Sequence, residues 1–229
     1  MVKVGVVFSG CGFLDGSEIH ESVLTLMHLH RHGVDVVCMA PRGPQRHVVD
    51  HLAGQVVDGS RDMLVEAARL ARGHIVDLAT VDATQLDAVI LPGGFGAAKN
   101  LCDFALQGAA ATSHPEVARL LRQMHAARKP IGAICIAPAV VACVLGRTAH
   151  PTLTIGDDAG TAAALVQMGA QHRPCTVTEC VVDAAQRIVT TPAYMFEAKV
   201  HEVAAGIGKL VDAVMGMLAP AHRSAAEAR

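Results

Sequence analysis

The sequence predicts an α/β fold with a mostly parallel sheet covered by helices on both faces. Three observations predict it. Short apolar runs alternate with helical patterns along the chain. Several of these runs, such as "VKVGVVF" (2–8) and "LDAVIL" (86–91), are apolar throughout, as strands buried on both faces are. The 229 residues are 52% hydrophobic and 17% charged, enough for one sizeable core, with no internal repeat. Aromatic residues are 3% and Trp is absent, so Val, Ala, Leu and Ile must fill that core.

The elements follow in order. "VKVGVVF" is the first strand. "SEIHESVLTLMHLHRHG" is the first helix, with Ser17 as N-cap, an apolar face of Val23, Leu26, Met27 and Leu29, and Gly33 as its stop. "VDVVCMA" (34–40) is a strand. Residues 41–60 have weak periodicity and read as an excursion. "RDMLVEAARLARG" is a helix ending at Gly73, and "LDAVILPGG" a strand running into a glycine turn. "HPEVARLLRQMHAARK" (114–129) is a helix with Pro115 in its first turn. "PIGAICI" (130–136) is a strand, and "APAVVACVLG" opens the next helix. "DDAGTAAALVQMG" and "YMFEAKVHEVAAGIGKLVDAVMGML" are helices, with "CVVD" and "RIVTT" a hairpin between them. Residues 219–229 read as a frayed tail.

The formal net charge of −2 gives no bulk attraction to nucleic acid or anionic membrane. No apolar stretch reaches the roughly 18 residues of a membrane span. "MVKVGVVFSGCG" lacks the features of a signal peptide, and a cytoplasmic location is expected. The seven cysteines are odd in number and read as free thiols in a reducing compartment. His172, Cys175 and Cys180 come nearest to a metal cluster, but their spacing is wrong for zinc, and no metal is expected.

In parallel sheets, ligands bind beyond the carboxyl ends of the strands. That directs attention to "SGCGFLDGSE", "PGGFGAAKN" and Cys135. Ala133-Ile134-Cys135-Ile136-Ala137 has the small-x-nucleophile-x-small pattern of a tight strand-to-helix elbow. Helix N–H groups beside the sulfur would favour thiolate. The glycines of "PGGFG" (92–96), Gly93 and Gly94 among them, can turn backbone N–H groups toward an oxyanion. Glu18 and Glu21, one helical turn apart, put a carboxylate near the thiol, able to move its proton or a substrate's. Acids at a helix start also complement its dipole, so one of them has a structural explanation. Lys99 and Asn100 either orient a polar ligand or cap a helix. Cys11 is a packing residue or a resolving thiol. His150 is either structural or a base approaching across the elbow.

Together "SGCGFLDGSEIHE", "LPGGFGAAKNL", "GAICIAPA", "LTIG" and "IVTTPAYM" make the chain similar to the PfpI-type, class I glutamine amidotransferase-like superfamily over about residues 2–218. Within it the chain resembles the ElbB-type glyoxalase family, also described as isoprenoid biosynthesis proteins. The resemblance implies a single flavodoxin-like domain over 1–218, a three-layer sandwich with the reactive cysteine at Cys135. It implies Glu21 as the paired acid, with Glu18 a turn before it, and an oxyanion site at the backbone of Gly93, Gly94 and Ile136. It further implies a homodimer and a hydro-lyase type of glyoxalase that needs neither glutathione nor cofactor. That enzyme converts glyoxal or methylglyoxal, small dicarbonyl substrates, to the hydroxy acid; a protein deglycase activity could underlie this.

The position after the nucleophile, histidine in protease-like relatives, is Ile136 here, which argues against a peptidase. His114-Pro115-Glu116 mimics an amidotransferase His-x-Glu but precedes the cysteine and reads as a helix start. Two other readings stay open: a thiol redox sensor or binding protein without turnover, and an amidotransferase-like subunit lacking its own activating histidine.

Overall fold

The structure is a computed structural model, described over residues 1–218; the tail expectation for 219–229 lies outside the described residues. Its strands and helices are, in chain order, β1 (Lys3–Val7), α1 (Ile19–Arg31), β2 (Asp35–Ala40), β3 (Val48–Asp50), β4 (Gln55–Val57), α2 (Met63–Ala67), β5 (Val76–Asp77), β6 (Ala88–Leu91), α3 (Phe104–Gln107), α4 (Pro115–Ala126), β7 (Ile131–Ile134), α5 (Pro138–Ala149), β8 (Thr152–Leu153), α6 (Ala159–Gln167), β9 (Gln171–His172), β10 (Val181–Asp183), β11 (Ile188–Thr191) and α7 (Val200–Gly216).

Seven strands form one sheet in the order β10-β11-β7-β6-β1-β2-β5. All its pairings are parallel except β10 with β11, the expected hairpin. Alternate strand residues feed two cores, as the pleat requires. Val4, Val6, Ala88 and Ile90 pack with Leu29, Leu64, Ile207 and Leu210 of α1, α2 and α7. Val7, Val89, Leu91 and Ile131 pack with Leu120, Val140 and Leu165 of α4, α5 and α6. This is the three-layer α/β sandwich of the flavodoxin-like kind. Among the described residues no helix is long and apolar enough to cross a membrane.

Several elements differ from expectation. The N-cap of α1 is Glu18, whose Oε2 accepts from the Glu21 amide at 2.6 Å; the Ser17 hydroxyl instead accepts the Ser9 amide at 2.9 Å. The inward face of α1 runs through Glu21, Ser22, Thr25 and Leu29, while Val23 is exposed. Two of these, Ser22 and Thr25, return their hydroxyls to backbone carbonyls one turn back, so burial leaves them satisfied. The helix expected over 61–73 shortens to α2, and the last helix starts only at Val200 after a 3₁₀ turn at Ala193–Met195. The 41–60 excursion is an antiparallel hairpin, β3 with β4. Chain reversal is managed at Gly33, whose φ of +66° in open space suits a residue without a side chain.

Candidate active site

The site lies where the carboxyl ends of β1, β6, β7 and β11 meet. β7 ends at Ile134, Cys135 follows at φ +60°, and Pro138 begins α5. A non-glycine residue in that region carries about 1–3 kcal/mol of strain, so its surroundings must hold it there. The Cys135 amide donates to the Thr191 carbonyl at 2.9 Å, extending the β7–β11 pairing into the elbow. Ala133 and Ala137 on either side are wholly buried, as the small-residue pattern anticipates.

Opposite the thiol is Glu21, fully buried on the first turn of α1. Its Oε2 accepts the Gly93 amide at 2.8 Å and its Oε1 the Tyr194 amide at 3.5 Å. The carboxyl is also hydrogen-bonded to the Cys135 thiol, and the amides of Gly94 and Ile136 point at the sulfur. Gly93 is required by crowding: a Cβ there would stand 2.5 Å from the Cys135 Cβ and 2.7 Å from Glu21 Oε2. Gly94, at φ +86°, has no room either, with the Glu18 amide nitrogen 2.4 Å from such a Cβ. That approach lets the Glu18 amide donate to the Gly93 carbonyl at 3.0 Å, locking the glycine turn onto α1.

Burial, reinforced by the Glu18 charge, pushes the Glu21 carboxyl up to about 8. Burial is also the main cause raising the Cys135 thiol well above its ordinary value, with the Glu21 charge next. The Gly94 and Ile136 amides oppose this without overcoming it. The thiolate expected at the elbow is thus opposed by burial and by the Glu21 charge, and the ion is favoured when the neighbouring carboxyl is neutral. Thiol and carboxyl behave as one proton-sharing pair.

Other candidate residues divide sharply. Glu18 does not contact the sulfur; it caps α1 and acts through its charge. The Gly93 N–H is taken by Glu21, which leaves Gly94 and Ile136 as the donors at the sulfur. Lys99 and Asn100 hold the loop after β1. The Lys99 ammonium donates to the Leu14 carbonyl at 3.1 Å and lies 4.9 Å from the centre of the Phe95 ring. Asn100 Nδ2 donates to the carbonyls of Ser9 (2.9 Å) and Asp15 (2.8 Å), and its Oδ1 accepts the Arg46 amide. Asn100 is thus fully engaged, while Lys99 keeps two N–H donors beyond its bond to Leu14. Cys11 sits among Arg69, Glu66, Asp15 and Arg61, where burial raises it. His150 ends α5, about 18 Å along the helix axis from its start, with Nδ1 bonded to the Gly169 carbonyl at 2.8 Å. It does not approach the elbow. His114 caps α4, accepting the Glu116 amide, as a helix start should. Among the described residues no group of three or more His, Cys, Asp or Glu is placed to hold a metal.

Thr191 and Tyr194 were not anticipated as site residues. Tyr194 also bonds its hydroxyl to His20 Nδ1 at 2.9 Å, clipping the segment after β11 to the first turn of α1. The rule that ligands gather at strand carboxyl ends would have found both, had it been applied to "IVTTPAYM" as well.

A strained cysteine on a strand-to-helix turn, paired with a buried glutamate from the first helix, defines a class of α/β thiol proteins. The chain belongs to the DJ-1/PfpI family, which matches residues 11–196. It is 46% identical over 223 residues to the human (Homo sapiens) "Glutamine amidotransferase-like class 1 domain-containing protein 3, mitochondrial", spanning 93% of this chain and 82% of that protein. To the "ES1 protein, mitochondrial" of Danio rerio it is 36% identical, spanning 95% of this chain and 86% of that one. The crystal structure of an isoprenoid biosynthesis protein with an amidotransferase-like domain from Ehrlichia chaffeensis superposes with a TM-score of 0.89. That pair is 36% identical, over 95% of this chain and 99% of the other. These relatives overturn the cytoplasmic expectation, since their names place the human and fish proteins in mitochondria.

Proposed function

We propose that the chain is an ElbB-type glyoxalase that acts without cofactor or glutathione, taking glyoxal or methylglyoxal to the hydroxy acid, and that it works as a homodimer. The observation that carries this is the Cys135–Glu21 pair with two backbone N–H groups facing the sulfur.

The chemistry starts with one proton on the pair. Sulfur adds to an aldehyde carbon, and the pair's proton ends on the carbonyl oxygen, giving a hemithioacetal and a Glu21 carboxylate. During this step the developing alkoxide can take the hydrogen bonds that Gly94 and Ile136 otherwise aim at sulfur. Glu21 then removes the C–H proton of the same carbon, leaving an enediolate; the hydroxyl proton on that carbon passes to the neighbouring oxygen, and Glu21 returns its own proton to the neighbouring carbon. The product is a thioester bearing a hydroxymethyl group from glyoxal. Water cleaves the thioester, releasing glycolate (lactate from methylglyoxal) and restoring the thiol. A carboxyl raised toward neutrality is suited to giving and taking protons in turn. Burial of the Cys135 sulfur argues against a redox sensor, which works through an exposed sulfur.

The test is glyoxal consumption by freshly reduced protein without glutathione, with the product identified, for wild type and Cys135→Ala in parallel. Glycolate from wild type alone is expected. Equal turnover by a folded Cys135→Ala protein would refute the mechanism.

A further inference from the structure

Residues 173–180 join β9 to β10 and contain two half-exposed thiols, Cys175 and Cys180, that the active site does not use. The Glu179 amide donates to the Thr176 carbonyl at 3.1 Å, closing a β-turn over Thr176, Val177, Thr178 and Glu179. The two cysteines flank that turn as its next outward pair. A closed turn holds the Cα atoms of its first and last residues, here Thr176 and Glu179, within about 7 Å, which brings the residues just outside it toward the roughly 4.4–6.8 Å that a disulfide spans. The charge of Cys175 is also felt at the Cys180 thiol.

The turn is seated from behind. The Val177 carbonyl lies so close to Gly206 of α7 that a Cβ there would stand 2.2 Å from its oxygen. The Thr191 hydroxyl donates to the Glu179 carbonyl at 2.7 Å. Glu179 is further paired with Lys209 of α7. The turn is thus held at Val177 and Glu179 by α7 and β11, which fixes the Cys180 side of its base.

We propose that Cys175 and Cys180 form a reversible dithiol–disulfide site that closes residues 175–180 into a ring. A low-mass disulfide supplies the oxidant. One cysteine thiolate attacks it, forming a mixed disulfide and releasing one small thiol. The second cysteine then displaces the other small thiol, giving the internal S–S bond. Two electrons and two protons leave the protein's thiols, and the reagent is reduced to two thiols. Burial and the Cys175 and Glu179 charges raise Cys180 to about 11, and burial also raises Cys175. Such thiols attack slowly and leave slowly, so the bond forms slowly and, once formed, resists reduction.

The test uses the full chain, reduced and then incubated with oxidised glutathione, after which remaining thiols are capped with iodoacetamide and the protein is peptide-mapped. A peptide carrying Cys175 joined to Cys180, two hydrogens lighter than the dithiol, is expected in wild type and equally in Cys135→Ala. Cys175→Ser and Cys180→Ser, both mild changes, should each lose the bridge and leave the surviving cysteine as a glutathione adduct. Separate glutathione or iodoacetamide labels on both cysteines of the wild type, or a bridge to any other cysteine, would overturn the proposal.

Discussion

Two wholly buried carboxylates flank the carboxyl end of β1, and they serve opposite ends. Glu21 reaches the bottom of the elbow, where both oxygens accept backbone amides and the thiol is its third partner. Asp15 lies under the β3–β4 hairpin. Its Oδ2 accepts the Val49 amide at 2.8 Å, while its Oδ1 has no hydrogen-bond partner. The basic side chains nearest to it stand at ion-pair range, Arg61 at 3.9 Å from Oδ2 and His51 at 3.8 Å from Oδ1. His51 Nε2 already accepts the Leu14 amide, so it cannot donate to Asp15. Equal burial therefore does not imply equal work. One carboxylate is set against a second titrating group and becomes chemical; the other is set against a loop and becomes a pin.

The sharpest way to break this contrast is Glu21→Gln. It keeps the shape and an acceptor for Gly93 but cannot carry the proton. Turnover should fall by about 10²–10⁴ with the fold intact, as read by kcat and circular dichroism; a loss of less than tenfold would remove Glu21 from the chemistry. Next comes pH. The mechanism needs one proton on the pair, so kcat/KM should climb as pH rises toward about 8, where Glu21 ionises. Stability should run the other way. The folded state holds a proton on Glu21 that the unfolded chain releases near 4.5. Its contribution is complete below that value and is lost as pH rises through about 8. The Tm should decline across this window, and Glu21→Gln should flatten the decline.

Asp15→Ala tests the other carboxylate. It strands the Val49 amide and should cost about 1–3 kcal/mol in a denaturant melt, while turnover per folded molecule stays near wild type. A collapse in kcat without loss of stability would reverse the assignment. The smallest effect belongs to Glu18→Ala. Losing the cap should cost about 0.5–1 kcal/mol. Removing the charge that helps raise Glu21 should also shift the rising limb of the pH–rate profile to lower pH.

How far the site was legible varied residue by residue. Cys135 stood out because an elbow demands small neighbours, and Ala133 and Ala137 are written beside it. Glu21 and Glu18 were both visible as a pair one turn apart. Which one touches sulfur depends on helix rotation, and the expected apolar face of α1 placed it only in part: Leu29 is inside as expected, but Val23 is outside and Glu21 inside. Lys99 and Asn100 followed a glycine turn and so looked like ligand groups. Their carbonyl partners in the loop after β1 lie some 85–91 residues earlier in the chain. His150 was near Cys135 in sequence, yet the straight helix between them carries it away.

By itself, the sequence determined the alternation of strands and helices, the parallel sheet and the elbow cysteine. Each of these follows from local pattern: burial on both strand faces, a turn residue at each end, small side chains around a strained position. Tertiary structure alone decided the protonation of the site. The pKa of Cys135 and of Glu21 depends on water excluded and charges gathered by β1, β6, β7 and β11 together, and no local stretch encodes that environment. It likewise decided that Gly93 serves the carboxylate, because only the docking of α1 against the glycine turn brings Glu21 within 2.8 Å of that amide.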